Sequence, residues 1–170
     1  GLGGVMGGME SGSSMDTTDI FLEGAIFDKI YVSKTYRHTN IITDSKLRFE
    51  RGIDPDMTKK ALYYAASIIQ KYCGGSISKI VANNYIEKSK PDINFSLKQF
   101  HNLIGFNISK KDTLKILSDL KFKAKVINDD MLQIAPPSWR HDINIAQDIT
   151  EEILRIKSYD IIPEEKINMD

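Results

Sequence analysis

Cysteine is nearly absent from this sequence, and its scarcity excludes two kinds of site. The 170 residues include one cysteine, Cys73, and three histidines. A single thiol forms no disulfide within the chain and no cysteine-based metal cluster, and such usage is typical of a protein from a reducing cytoplasm. His38 has no second histidine or cysteine nearby at ligand spacing, which indicates an ordinary polar loop residue.

Long apolar runs and an excess of one charge are also missing. The sequence contains no run of about eighteen apolar residues, the length needed to span a membrane. It also does not open with the basic and then apolar residues of a secretion signal. Twenty-three basic residues balance twenty-three acidic ones, so the chain has no global electrostatic footprint for nucleic acid, and any RNA contact has to be local. A hydrophobic fraction of 41% is still enough for a core, in one domain or two small ones.

Glycine is concentrated at the N-terminus. Residues 1–12 contain six glycines, and the chain begins without methionine, which suggests a fragment of something larger. The Gly-Lys-Ser/Thr ending of a phosphate-binding loop is missing. The segment is therefore either a flexible tail or a backbone that approaches a bulky group closely.

The pattern of Thr18–Ile26 predicts a strand with one unusual member, Glu23. An unpaired carboxylate is costly in a core, so Glu23 is expected either to face water or to bind something through hydrogen bonds. Asp28 then predicts a capped short helix over residues 30–35, followed by a polar loop.

A long helix is predicted from Pro55, with Asp54 as its N-cap, to Cys73 before Gly74. Its predicted buried face consists of Ala61, Leu62, Ala65, Ile68, Ile69 and Tyr72.

A predicted strand, Ser76–Tyr85, is followed by residues 87–91, whose composition is typical of a linker, and we place a domain boundary there. The order expected beyond it is strand, helix, helix, hairpin and helix, like a winged helix. These elements are Asp92–Phe95, Leu97–Ile104, a helix opened by Ser109 with Leu114, Leu117 and Leu120 on its buried face, Lys123–Ile127 with Met131–Ala135, and residues 144–157.

The last helix combines an apolar stripe with a group of acids. Its stripe is Ile145, Ile149, Ile153 and Ile156, and the acids are Asp142, Asp148, Glu151 and Glu152. Carboxylates near a helix N-terminus are favourable by themselves, by a few tenths to about 1 kcal/mol. The alternative is a magnesium site, since magnesium takes one or two direct carboxylates and needs further acids to hold its waters.

Three stretches together resemble one family. They are Gly4-Val5-Met6-Gly7-Gly8 with Phe21–Ala25, then Arg48–Pro55, then Pro137–Asp142 with Asp148–Ile153, in an order and spacing that cover nearly the whole chain. In these stretches the sequence resembles the beta subunit of bacterial phenylalanyl-tRNA synthetase, the phenylalanine–tRNA ligase.

The resemblance implies an α+β fold in two parts. Residues 1–86 are similar to the C-terminal part of the family's mixed α/β editing domain, B3/B4, and residues 92–162 to its winged-helix-like B5 domain, with a linker at 87–91 and a tail at 163–170. It also implies a cytoplasmic heterotetramer of two alpha and two beta subunits. In the family the alpha subunit binds ATP and charges tRNA(Phe), so no catalytic residue of aminoacylation is expected here.

The same resemblance implies an editing pocket for mischarged tyrosine. Glu23 matches the residue that reads the tyrosyl hydroxyl, and Gly7, Thr43 and Ser45 match other pocket positions. An apolar synthetic pocket rejects an added hydroxyl only ~10²-fold, whereas a site that hydrogen-bonds a hydroxyl refuses the analogue lacking it by ~10⁴–10⁵. Ser45 replaces an alanine of relatives, and the family's editing-site histidine would lie upstream of Gly1, so we expect an incomplete pocket.

The resemblance further implies that Asp142, Asp148, Glu151 and Glu152 hold a magnesium ion shared with the alpha subunit. Two other functions remain as alternatives. One is a structural module that docks the alpha subunit, and it would displace editing if Glu23 lay far from any pocket. The other is a winged-helix module that binds nucleic acid through Lys110, Lys111, Lys115, Lys121, Lys123 and Lys125.

Overall fold

The structure is a computed structural model that describes residues 1–82 and 90–163. The chain divides into two compact units between residues 87 and 88, and we refer to their described parts as the N-terminal unit and the C-terminal unit. Within the described residues there are six α-helices and one three-stranded antiparallel sheet, which confirms the predicted α+β class. The predicted linker and tail fall largely outside these residues.

The N-terminal unit contains three helices, each opened by a side chain that accepts a hydrogen bond from the first turn. Asp28, Thr43 and Asp54 are these caps, and the predicted caps Asp28 and Asp54 are confirmed. The helices are α1 (Lys29–Thr39), α2 (Asp44–Arg51) and α3 (Pro55–Cys73).

The hydrophobic core of the N-terminal unit is small. Val5 and Val32 are each 1% exposed, and the rings of Phe27 and Phe49 meet edge to face with centroids 5.0 Å apart. Gly4 has a positive φ of 70°, and a β-carbon there would lie 2.8 Å from Val32. The glycine-rich segment therefore packs on α1 instead of forming a flexible tail.

Two predicted strands of this half are wrong within the described residues. Thr18–Ile26 lies outside any helix or ladder, and so do residues 76–82 of the predicted strand Ser76–Tyr85, whose last three residues are outside the described part. A strand needs a partner for its amide and carbonyl groups, and residues 1–82 offer only an isolated bridge between Leu2 and Met6. The alternating pattern of side chains along a segment could not reveal that the pairing partner was missing.

Helix α1 runs further than predicted, and α2 was not predicted at all. His38 lies in the last turn of α1, with Nδ1 2.9 Å from the carbonyl oxygen of Lys34, so its assignment to a loop is wrong. The predicted buried face of α3 is also wrong, because no residue of α3 is buried. Tyr72 is 76% exposed, and the better covered positions of that face, such as Leu62 beside Gly24, are only half-buried.

The C-terminal unit follows the predicted order closely. Its strand β3 lies between β1 and β2 and pairs antiparallel with both, so that Phe95 lies opposite Leu132 and Ala124 opposite Ile134. The elements are β1 (Ile93–Ser96), α4 (Leu97–Ile104), α5 (Lys110–Asp119), β2 (Lys123–Val126), β3 (Met131–Ala135), α6 (Ala146–Lys157) and a 3-10 turn (Tyr159–Ile161).

Local signals explain these boundaries. The Ser109 hydroxyl caps α5 by accepting from the amide of Asp112, and Gly105 ends α4 with a φ of 72°. Strand β3 ends before Pro136, whose ring lacks the amide hydrogen that a ladder needs. The first residues of the predicted last helix are not helical, since α6 begins at Ala146.

Fourteen buried side chains form one core between the sheet and helices α4, α5 and α6. Leu117 of α5 is fully buried, whereas Leu114 and Leu120 are partly buried. The stripe predicted for α6 is half right, because Ile149 and Ile153 are fully buried while Ile145 and Ile156 are 55% and 50% exposed. The core comprises Ile93, Phe95, Leu97, Phe100, Ile108, Ile116, Leu117, Phe122, Leu132, Ile134, Ile143, Ile149, Ile153 and Leu154.

Candidate functional site

Two of the predicted editing residues lie together at the start of α2. The hydroxyl of Thr43 donates to the carbonyl of Val5 over 2.6 Å and accepts from the amide of Lys46 over 3.1 Å. The hydroxyl of Ser45 donates to the carbonyl of Gly4 over 3.1 Å. These bonds connect the N-terminus of α2 to the glycine-rich turn, so Ser45 has a partner that alanine could not provide.

The other two predicted editing residues are exposed. A β-carbon added to Gly7 would meet no atom within 4 Å, so open space adjoins its backbone. Glu23 makes no hydrogen bond or ion pair within residues 1–82 and 90–163. It lines neither the cavity of about 280 Å³ against α1 nor the one between α4 and α6. The alternative of a structural module that docks the alpha subunit depends on this placement of Glu23 outside both cavities.

Arg140 is the centre of an ionic network in the C-terminal unit. Its terminal nitrogens Nη1 and Nη2 donate to the two carboxylate oxygens of Glu152, both over 2.9 Å, and Nη2 also donates to Asp142 over 2.6 Å. Arg155 donates to the same Glu152 over 2.6 Å. The Glu152 side chain is only 8% exposed, so this buried carboxylate is compensated by two guanidinium groups.

The network fixes the charge of both acids. Hydrogen bonds from Arg140, and then from Arg155, lower the pKa of Glu152 to about 2. Arg140 is also the main reason that the pKa of Asp142 is lowered, while Lys90 makes a smaller electrostatic contribution. Both carboxylates are therefore ionised near neutral pH, and the pKa of Arg140 is raised in return.

The remaining two acids have different surroundings. Asp148 reaches back over the first turn of α6 and accepts from the amides of Asn144, over 2.7 Å, and Ile145, over 3.0 Å. Glu151 is exposed. Among the described residues no group of three or more acidic, histidine or cysteine side chains is placed to hold a metal ion. As they stand, these four acids do not fit a directly coordinated magnesium.

Sequence reasoning singled out these acids but missed the arginines that bind them. The spacing of Arg155 from Glu152, i and i+3 on a helix, was a usable signal. The pairing of Arg140 with Glu152 spans twelve residues and depends on the turn before α6, which no local pattern reveals.

The lysines proposed as a nucleic-acid surface are partly neutralised. Lys110 pairs with Asp129 over 2.9 Å, and Lys115 pairs with Asp119 over 2.7 Å, so two of the six carry an acidic partner. None of the helices within residues 1–82 and 90–163 has the length and apolar character of a membrane span.

Comparison with known proteins identifies the family of this chain. Residues 1–74 match the model of the B3/4 domain, and residues 93–159 match the tRNA synthetase B5 domain. The chain is 39% identical to the phenylalanine–tRNA ligase beta subunit of Rickettsia felis and 34% identical to that of a Wolbachia species from Brugia malayi, in each case over 98% of this chain.

The chain spans about a fifth of the length of these relatives, 20% and 21%. The two family models follow each other along the chain in the order in which the N-terminal and C-terminal units occur. The chain belongs to the phenylalanine–tRNA ligase beta subunit family, of which it contains B3/4 and B5 sequence.

Proposed function

We propose that this chain is part of a beta subunit that removes tyrosine from mischarged tRNA(Phe) and supports the charging of that tRNA with phenylalanine by an alpha subunit. In this proposal the N-terminal unit contributes to the editing pocket, and the C-terminal unit docks the alpha subunit. ATP is bound by the alpha subunit only.

The observation that carries the editing role is the attachment of α2 to the glycine-rich turn. The hydroxyls of Thr43 and Ser45 bind the carbonyls of Val5 and Gly4 and so fix the backbone that leads to Gly7. The space beside Gly7 is open, which leaves room for a bulky aminoacyl group against the backbone. A fixed backbone with open space beside it suits a binding pocket.

Glu23 supplies the discrimination in this proposal. Its carboxylate is exposed and accepts no hydrogen bond within the described residues, so it is available to the hydroxyl of a tyrosyl group. A charge-assisted hydrogen bond of this kind contributes roughly 1.5–3 kcal/mol. Phenylalanine, which lacks the hydroxyl, would leave the carboxylate without that bond.

The test uses the complete synthetase with Glu23→Gln and Glu23→Ala, and with Glu10→Gln, another exposed acid of the N-terminal unit, as control. We expect Glu23→Ala to hydrolyse tyrosyl-tRNA(Phe) roughly 10–150-fold more slowly, the rate equivalent of one charged hydrogen bond. Glu23→Gln should lose less, because its amide oxygen still accepts a hydrogen bond from the hydroxyl. Phenylalanine activation should be unchanged, because it takes place on the alpha chain. Unchanged hydrolysis would end the assignment, and an equal loss of activation would indicate a folding defect.

Charging is assigned to the alpha subunit, so the isolated chain should not aminoacylate tRNA. The measurement is phenylalanine-dependent exchange of pyrophosphate into ATP, with the complete synthetase as positive control. Exchange by the pure chain would contradict this part of the proposal.

Magnesium binding by Asp142, Asp148, Glu151 and Glu152 is a separate proposal. Since Asp142 and Glu152 are bound by Arg140, the ion would need either a rearrangement of that arginine or ligands from the alpha subunit. The isolated chain should therefore bind magnesium weakly, which calorimetric titration at millimolar magnesium can measure. A tightly bound ion with a full set of ligands from this chain would rule out a shared site.

A further inference from the structure

The side chain of Lys90 ends in a ring of oxygen atoms formed by the turn before α6. Its Nζ lies 3.0 Å from the carbonyl oxygen of Arg140, 2.8 Å from that of His141 and 3.1 Å from that of Ile143. The side-chain oxygen of Asn144 lies 3.0 Å from the same nitrogen. We call these four oxygens the cation cage.

The rest of the turn holds the cation cage in shape. The carbonyl of Asp142, which is not part of the cage, accepts from the side-chain amide of Asn144 over 2.9 Å. The backbone amide of Asn144 donates to Asp148, and Ile143, 2% exposed, anchors the turn in the core. Converging carbonyl oxygens repel one another, so a positive charge at their centre stabilises the turn.

The chemistry of the cation cage favours a large monovalent cation. Its ligands are three neutral carbonyls and one neutral amide oxygen, 2.8–3.1 Å from the centre. Magnesium requires oxygens at about 2.0–2.1 Å and calcium at about 2.3–2.6 Å, and both are usually bound with the help of carboxylates. An ammonium group or a potassium ion, which is of similar size, matches the longer distances.

We propose that residues 140–144 form a monovalent-cation site whose built-in occupant is the ammonium of Lys90. By filling this site, Lys90 acts as a positioning residue for the turn that presents Arg140 and Asp142. The inference does not depend on the proposed function, since it rests on contacts within the C-terminal unit alone.

The test removes the occupant and asks whether a free cation replaces it. Lys90→Ala empties the cation cage, and Lys111→Ala removes another exposed lysine of the C-terminal unit as a matched control. The single tryptophan, Trp139, lies beside the turn, so its fluorescence follows thermal unfolding of this unit in the 170-residue chain. In tetramethylammonium chloride, whose cation is too large for the cage, Lys90→Ala should melt about 4–8 °C below the wild type.

Ammonium chloride or potassium chloride at the same ionic strength should restore most of that loss in Lys90→Ala. Neither salt should raise the melting temperature of the wild type or of Lys111→Ala by a comparable amount, because the cage is filled in both. Equal effects of tetramethylammonium, ammonium and potassium in Lys90→Ala would overturn the proposal, and so would a melting temperature of Lys90→Ala equal to that of the control.

A measurement on the wild-type chain keeps the proposal testable if Lys90→Ala does not fold. Competitive acetylation followed by mass spectrometry reports the reactivity of each lysine. Lys90 should react at least about fivefold more slowly than Lys111, since the ammonium must first leave its acceptors. Equal reactivity of the two lysines would show that the cation cage does not hold the ammonium.

Discussion

Helices α3 and α6 show why an amphipathic pattern predicts a helix but not its burial. Helix α3 is the longer, with 19 residues and an apolar stripe, yet it buries none of them. Helix α6 has 12 residues and buries five of them, among them Ile149 and Ile153. The stripe of α6 faces a sheet and two helices, whereas that of α3 is only half-buried, with Leu62 against the irregular segment at Gly24. Burial depends on that second surface.

The two units also treat a buried charge differently. In the N-terminal unit Lys46 is 6% exposed and bonds to one partner, Glu50, over 2.6 Å, beside the ring of Tyr36. In the C-terminal unit Glu152 is equally buried but is held by two arginines. The C-terminal unit, which has the larger hydrophobic core, thus also provides two ionic partners for its buried charge, whereas the N-terminal unit provides one.

The largest expected effect comes from the core of the C-terminal unit. Leu117→Ala should lower the free energy of unfolding of that unit by about 2–5 kcal/mol, because it leaves a cavity at a fully buried position. Urea denaturation followed by far-UV circular dichroism, which reports the helices of both units, measures the change. Leu62→Ala in α3 is the matched control, and an equal loss from Leu62→Ala would break the contrast between the two units.

The next effect concerns the ionic network. Arg140→Gln should lower the free energy of unfolding by roughly 1.5–3 kcal/mol, because it removes the hydrogen bonds that Arg140 donates to both carboxylate oxygens of the buried Glu152. Arg155→Gln should cost less, since the Arg155 side chain is 51% exposed and its bond is weakened by solvent. Urea midpoints of the two variants decide the order. If Arg155→Gln were the more damaging, Arg140 would not be the main partner of Glu152.

Local signals made the C-terminal unit predictable from sequence. Ser109, Gly105 and Pro136 each mark an element boundary through their own backbone or side-chain chemistry, and the elements lie where those signals put them. In the N-terminal unit Thr43 is the same type of cap signal, because its hydroxyl accepts a hydrogen bond from the amide of Lys46 at the start of α2. The sequence analysis overlooked this signal and did not predict α2.

Long-range contacts were beyond sequence reasoning. The bond from Lys90 to the carbonyl of Arg140 joins residues 50 positions apart, and that from Thr43 to Val5 joins residues 38 apart. Neither contact leaves a periodic pattern, because each depends on how a turn is folded. The same limit explains the strand wrongly predicted at Thr18–Ile26, since a strand is defined by a partner that its own residues do not specify.

A smaller effect is expected from Asp130, a carboxylate that makes the stability of the C-terminal unit depend on pH. Asp130 accepts from the hydroxyl of Ser96 and from the amide of Lys98, both over 2.7 Å, and these bonds, that of Ser96 first, lower its pKa. A lowered pKa means that the stabilisation is present above the unfolded value, about 3.9, and is lost as the pH falls through the folded value.

Asp130→Asn should therefore lower the urea midpoint near neutral pH and make stability less sensitive to pH below about 4. The control is Asp92→Asn, which replaces an exposed acid before β1 and should leave the urea midpoint near neutral pH unchanged. Parallel pH profiles for wild type and Asp130→Asn would mean that the carboxylate does not hold the turn between β2 and β3 to α4.

The smallest effect is expected on the exposed face of α3, where the contrast between the units is sharpest. Tyr72→Ser should change the free energy of unfolding by no more than about 0.5 kcal/mol, since Tyr72 is 76% exposed and serine and tyrosine have similar helix propensities. Ile149→Ser in α6 is the counterpart, because it places a hydroxyl at a fully buried position. Far-UV circular dichroism during urea denaturation monitors both helices. A loss for Tyr72→Ser of the size found for Ile149→Ser would mean that this face of α3 is covered in solution.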